Sequence, residues 1–186
     1  MRWPASIQGV PVSYAVMRRD MERWLIKTGI LPTGFSHFGV VINDKATACA
    51  ALAEMHGPEP RTDWVASLGL YVTRAELEGT EIEWIAPVQE SFFSKHLRAF
   101  GESLHHASFR VEDIDDCVAR LRSAEVSLVN DKPLAGSHGK ILFARPADFK
   151  PLCIEFCQAP DVTAPTGSEA TSKILTSHQV PRWHLS

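Results

Sequence analysis

The chain lacks a basic excess: 19 Lys and Arg stand against 22 Asp and Glu among 186 residues, a formal charge of −3. The electrostatic footprint of a nucleic-acid binder is therefore missing. No apolar run approaches the roughly 20 residues that span a bilayer, which excludes a membrane-spanning helix. The opening residues, MRWPASIQG, hold no apolar stretch of the secretory kind, so a cytoplasmic location is expected. Cysteine is sparse, at Cys49, Cys117, Cys153 and Cys157, and no CxxC pair occurs. That spacing argues against a zinc ribbon, and reduced, mostly buried thiols are expected. What is present is ordinary for a soluble domain, with 45% apolar and 22% charged residues. A chain of this length can bury a core without a disulfide or metal to hold it.

An internal repeat organises the chain. HFGVVINDKATACAAL begins at His37, and HASFRVEDIDDCVARL begins at His106, an offset of 106 − 37 = 69. Each segment opens with histidine, alternates like a strand, turns at an aspartate and continues as a helix. Asp44 and Asp113 stand where a carboxylate caps free N–H groups. Ile114, Cys117, Val118 and Leu121 follow helical spacing, with Ala48, Cys49 and Leu52 as their counterparts in the first copy. A second pair, EIEWIAP and CIEFCQAP, places Glu83 and Glu155 at an offset of 155 − 83 = 72. Both stretches read as strands that stop at Ala-Pro.

The expected architecture is α+β, with modules at about 34–88 and 102–160 in one domain over 34–160. Residues 1–33 form an N-terminal extension, with a helix over Tyr14 to Thr28 that buries Met17, Met21, Trp24 and Leu25. A short helix between the modules is expected to turn Phe92, Phe93, Leu97 and Phe100 inward. The tail, 161–186, is rich in Pro, Ser and Thr and is expected to be extended or disordered, with Ile174, Leu175 and Trp183 as docking points.

Strand side chains alternate between faces. Phe38, Val40 and Ile42 make one apolar face, and Ala107, Phe109 and Val111 make its counterpart. His37 and His106 then point away from the helices. Ile82 and Trp84 leave Glu83 on that same side, and Ile154 and Phe156 leave Glu155 there. A single strand histidine or glutamate is usually just a polar surface residue. Both types at matching places in both halves make a candidate site for one divalent metal ion, Co, Ni, Zn, Mn or Fe. Cys153 and Cys157 share a face with Glu155 and read as pocket wall. His105 has the opposite strand parity and reads as a packing residue or a support for His106.

The runs SHFGVV from Ser36, TEIEWIAP from Thr80, GESLHHASFRVEDID from Gly101 and GSHGK from Gly136 resemble the vicinal oxygen chelate superfamily, the glyoxalase fold. Arg145-Pro146 and Cys153-Ile154-Glu155 extend the resemblance, which covers roughly 36–158 and is strongest to the methylmalonyl-CoA epimerases. It implies two βαβββ modules forming one curved mixed sheet around a metal-binding cup. It also implies metal ligands at His37, His106 and Glu155, a fourth at Glu83 where related enzymes carry Gln or Glu, and a homodimer. ADFKPL departs from the family's usual approach to the last strand, and the second catalytic carboxylate has no clear place, with Glu76 and Glu78 nearest. A rival alignment takes VSYAVMRRDMERWLIKTG as the opening of the first module. The spacing of 83 − 37 = 46 between His37 and Glu83 fits a single module better.

The expected activity is epimerisation or isomerisation of a small carbon acid such as a methylmalonyl-CoA-like acyl-CoA. A proton leaves the carbon next to a carbonyl while the metal stabilises the enolate. Glu155 is the first choice of base and Glu83 the second. The turn at His138, Gly139 and Lys140 is expected to bind substrate at the rim. The alternatives are a glyoxalase-type lyase acting on a glutathione adduct (lactoylglutathione lyase), a ring-cleaving dioxygenase, and a non-catalytic small-molecule binder of the same superfamily.

Overall fold

The computed structural model describes residues 14–54, 59–77, 79–137 and 139–159. His138, Glu78 and the segment 161–186, with its proposed docking points, lie outside the described residues. The first module runs β1 (Gly34–Val41), α2 (Lys45–Glu54), β2 (Arg61–Val65), β3 (Leu70–Leu77) and β4 (Thr80–Pro87), preceded by α1 (Tyr14–Lys27). The linking helix α3 (Phe92–Phe100) leads to the second module, β5 (Ser103–Arg110), α4 (Ile114–Ser123), β6 (Leu134–Gly136), β7 (Gly139–Ala144) and β8 (Cys153–Gln158).

The eight strands of the described residues form one sheet in the order β2-β3-β4-β1-β5-β8-β7-β6. The order mirrors itself about the β1–β5 junction. β1 pairs with β4 in parallel, β5 pairs with β8 in parallel, and the modules join through the antiparallel β1–β5 ladder. Among the described residues β1 is the first strand, and Tyr14–Lys27 of the rival segment is helical, so the module opens at β1.

The two helices of the repeat form for the reason their sequence suggests. Asp44 Oδ1 accepts from the Ala46 and Thr47 amides, and Asp113 Oδ1 accepts from the Asp115 and Asp116 amides. Each cap satisfies donors that a helix start leaves without partners. Ile114, Cys117, Val118 and Leu121 bury one face of α4, and Ala48 and Leu52 do so on α2. Cys49 differs from its expected place in the apolar stripe and is exposed. Its counterpart at the repeat offset is Val118, whose neighbours on α4 are larger and bring more of the helix under cover.

The alternation of the strands sorts the core into two layers. Phe38, Val40, Ile82, Trp84, Ala107, Phe109, Ile154 and Phe156 pack with the helices, joined by Met17, Met21 and Leu25 of α1. Trp24 is partly buried against that layer. Val41, Val72, Ile85, Phe143, Cys153 and Cys157 pack on the opposite, concave face with Phe93. On α3, Phe93 and His96 are buried while Phe100 is exposed, contrary to the inward turn expected of Phe100. Phe100 ends the helix, beyond the strand surface that covers Phe93, and its ring rests on His96 instead.

Candidate metal centre

His37, Glu83, His106 and Glu155 come from the four central strands, β1, β4, β5 and β8, and all four are buried. The Nε2 atoms of His37 and His106 are 3.3 Å apart. Glu83 Oε2 is 3.3 Å from His37 Nε2, and Glu155 Oε2 is 3.2 Å from His106 Nε2. Glu155 Oε1 also lies 3.8 Å from His37 Nε2. One ligand atom from each of His37, Glu83 and His106 falls within 4.8 Å of the others, a set able to hold a metal ion. Glu155 lies outside that set but touches both histidines from the other flank.

Two β-bulges aim the histidines. Between the pairs Phe35↔Phe109 and Phe38↔Ala107, β1 carries one extra residue, within the Ser36–His37 step. Between Gly39↔His106 and Val40↔Leu104 the extra residue is on β5, at His105. The two bulges occupy the same place in the repeat. A bulge re-aims a side chain and deepens the local twist. Here it also places a polar neighbour beside each ligand. Ser36 Oγ lies 3.2 Å from His37 Nδ1, and His105 Nδ1 lies 2.9 Å from His106 Nδ1. With Nδ1 engaged in each ring, Nε2 is the atom presented to the cluster. Glu81 Oε1 stands 3.9 Å from His37 Nδ1 as a second neighbour.

Gly39 is the other condition for this arrangement. It pairs with His106 across the ladder, and a Cβ at residue 39 would overlap the His106 imidazole. The counterpart of Gly39 in the second module is Ser108, whose hydroxyl donates to Glu155 Oε1 at 3.1 Å. Glu83 is held from two sides. Ser137 Oγ donates to its Oε1 at 3.0 Å, and Arg74, its cross-strand partner, brings Nη1 within 3.6 Å. Arg74 is itself anchored by an ion pair with Asp63.

The electrostatics suit a cation. Burial holds the His106 imidazole well below its usual pKa, with His37 adding to the effect, so it stays neutral and free to donate a lone pair. Burial pushes the Glu155 carboxyl well above the usual carboxylate range, and the charge of Glu83 adds to that, against the hydrogen bond from Ser108. Two carboxylates pressed together out of water need a positive partner to ionise together. Two imidazoles and two carboxylates, supported by outer hydrogen bonds, fit a divalent transition metal.

The cup above these groups has apolar walls that include Val65, Leu70, Val72, Ile85, Phe93 and Phe143. Its free volume is about 20 Å³, room for one small ion or water. Glu83 and Glu155 are its carboxylates among the described residues. Glu76 is exposed on β3 and does not line it.

The sequence runs around the site behaved unequally. From the GSHGK turn, Ser137 reaches Glu83. Gly139 and Lys140 line a separate groove between α4 and β6, and His138 lies outside the described residues. Cys153 and Cys157 do not border the cup; Cys157 Sγ packs beside Ser108 and donates to the Phe109 carbonyl. Sequence reasoning passed over Arg74 and Glu81, and read Ser137 only as part of the substrate-rim turn and not as a partner of Glu83. Arg74 had a signal, a charged residue at the same parity as Leu70 and Val72. Reading it as a partner of Glu83 needs the β3–β4 register.

A search of curated proteins finds no match. The family model described as the Glyoxalase/Bleomycin resistance protein/Dioxygenase superfamily matches residues 36–144. Solved structures similar to this one include the methylmalonyl-CoA epimerase of Mycobacterium tuberculosis, at 25% identity and a TM-score of 0.61, covering 70% of this chain and 90% of that one. A selenomethionyl methylmalonyl-CoA epimerase is 30% identical with a TM-score of 0.55, covering 68% of this chain and 94% of the other. A methylmalonyl-CoA epimerase in complex with methylmalonyl-CoA and NH4+ shares the fold at 24% identity and a TM-score of 0.63, over 73% of this chain and 100% of that one. No helix among the described residues is long and apolar enough to cross a membrane.

Proposed function

The chain belongs to the Glyoxalase/Bleomycin resistance protein/Dioxygenase superfamily, and from that membership we propose a metal-dependent epimerase or isomerase of a small carbon acid, most like methylmalonyl-CoA. The observation that carries the reading is the pair of His Nε2 atoms at 3.3 Å, flanked by Glu83 on one side and Glu155 on the other. His37, His106, Glu83 and Glu155 would hold the ion.

When bound, a divalent cation supplies Lewis-acid stabilisation of the negative charge that grows on a carbonyl oxygen as the neighbouring C–H loses its proton. The protein's own part is to bind the acyl group, exclude water and move the proton. Glu155 takes the proton once its carboxylate is free of the ion, with the Ser108 hydroxyl fixing one of its oxygens. Glu83, related to Glu155 by the mirrored strand order, serves the opposite face, which inversion at carbon requires. Arg74 offsets the charge of Glu83. Arg74 is shared with Asp63, so a doubly charged ion would balance the two buried carboxylates and present its own charge to an enolate oxygen. The apolar walls of the cup strengthen these interactions by keeping water away. Because the cavity holds about 20 Å³, an acyl group enters only after side chains over it, such as Val65 and Leu68, shift outward.

The test is proton–deuterium exchange at the α-carbon of (2R)- and (2S)-methylmalonyl-CoA. Metal-loaded protein is expected to exchange both epimers, and chelator is expected to stop it. No exchange by metal-loaded protein would reject the epimerase reading. Consumption of methylglyoxal plus glutathione in the same preparation would favour a lyase.

A further inference from the structure

A second cavity, of about 330 Å³, lies on the far side of an aromatic wall from the cup. The wall is built of Phe92 against Phe143, with ring centroids 5.1 Å apart, and Phe93 against His105 at 4.8 Å. Three cations from three separate elements line it: Lys95 of α3, Arg145 just after β7, and Lys150 before β8. No carboxylate lines it among the described residues. Lys95, Arg145 and Lys150 make no ion pair with a described residue, although exposed Arg18, Arg98 and Arg120 each hold a carboxylate.

We propose that this cavity is a second binding site, one for a phosphate-bearing anion. Arg145 lines the cavity together with Cys153, His96 and His105. A guanidinium fork matches two oxygens of one phosphate, and the two lysine ammonium groups of the same lining add point charges. His96 is engaged with Ser103 at 3.0 Å and is neutral, so it adds a polar wall and not a competing charge. The Phe100 ring, exposed and lying 4.8 Å from His96, leaves an apolar face at the edge. Phosphate chemistry of this kind has two sources, a free phosphate ion or the nucleotide end of a CoA thioester. The site itself stands on its own lining, and only the second source rests on the function proposed above.

The experiment is isothermal titration of the full-length protein, metal-loaded and metal-free, with inorganic phosphate, 3′,5′-ADP and CoA. Wild type is expected to bind phosphate, and added NaCl to weaken it. Lys95→Gln, Arg145→Gln and Lys150→Gln are each expected to weaken binding roughly fivefold, the worth of one well-placed exposed ion pair. The triple variant is expected to lose binding while keeping its melting temperature. Competition of 3′,5′-ADP with phosphate would assign the nucleotide end as occupant, and binding of phosphate without such competition would assign the free ion. Wild-type affinity in the triple variant, no binding of any of the three probes, or loss in Lys132→Gln of the α4–β6 groove instead would overturn the proposal. None of these readings needs turnover, so an inactive epimerase assay leaves them unchanged.

Discussion

Gly39 and His106 face each other across the β1–β5 ladder, and the imidazole fills the space that a Cβ on residue 39 would take. The smallest side chain on one strand thus makes room for the His106 ring on the next. Gly39→Ala is expected to push His106 aside and lower metal affinity about 10–100-fold, as changes to supporting residues do. Overpacking adds a cost of about 1–3 kcal/mol. In a His106→Ala background the space is vacant, so the same substitution should cost almost nothing. Metal content and chemical denaturation of the two single variants and the double variant check this; equal costs in both backgrounds would reject it.

Glu155 carries a cost in the metal-free protein. Its pKa is raised in the folded state, so its contribution to stability is present below the usual carboxylate range and is lost as pH rises through the raised value. Glu155→Gln removes that loss. The metal-free variant should melt higher than metal-free wild type at pH 8, by roughly 2–4 °C for each kcal/mol recovered. The same variant should retain far less metal. Thermal melts with chelator at two pH values, beside metal analysis, separate the two effects.

Metal uptake should tighten with rising pH for the related reason that binding displaces a proton from Glu155. Titration with Zn or Co in buffers of different ionisation enthalpy measures the protons released. Zero release at pH 6 would contradict the buried, raised carboxyl.

His96 works in the opposite direction. Burial, then the charge of Arg145, lowers its pKa from 6.5 to about 4. The unfolded chain therefore takes up a proton at a pH where the folded one does not. Stability from this group is complete above pH 6.5 and is lost as pH falls toward about 4. His105 shifts the same way. His96→Gln keeps a partner for Ser103 without titrating, so its melting temperature should fall less than wild type between pH 7 and pH 5.

Asp113→Ala removes the acceptor for two amides at the start of α4. A loss of about 1 kcal/mol is expected, within the 0.5–2 kcal/mol range of such caps. Metal content should not change, because α4 packs on the face opposite the cup. Denaturant unfolding beside metal analysis distinguishes this outcome from damage to the site.

Much of the architecture was legible in the residues because the repeat and the alternation are local patterns. A spacing of 69 residues holds from His37 and His106 through the bounds of both strands and both helices. Period two along β1, β4, β5 and β8 set Ile82 and Trp84 against Glu83, and Ile154 and Phe156 against Glu155, before any pairing was known. The aspartate caps were visible for the same reason: a cap is a contact within four residues of its helix.

What tertiary structure alone decided is which strands neighbour each other and in what register. Nothing local tells His105 that it will be the extra residue of a β5 bulge, the geometry that sets its ring beside His106 in the supporting role read for it. Nor does local sequence show that Arg74 meets Glu83, that Ser137 reaches over to it, or that Lys95, Arg145 and Lys150 share a cavity. Those contacts depend on which residues the strand ladders and loops bring opposite each other, and that geometry exists only once the sheet has formed.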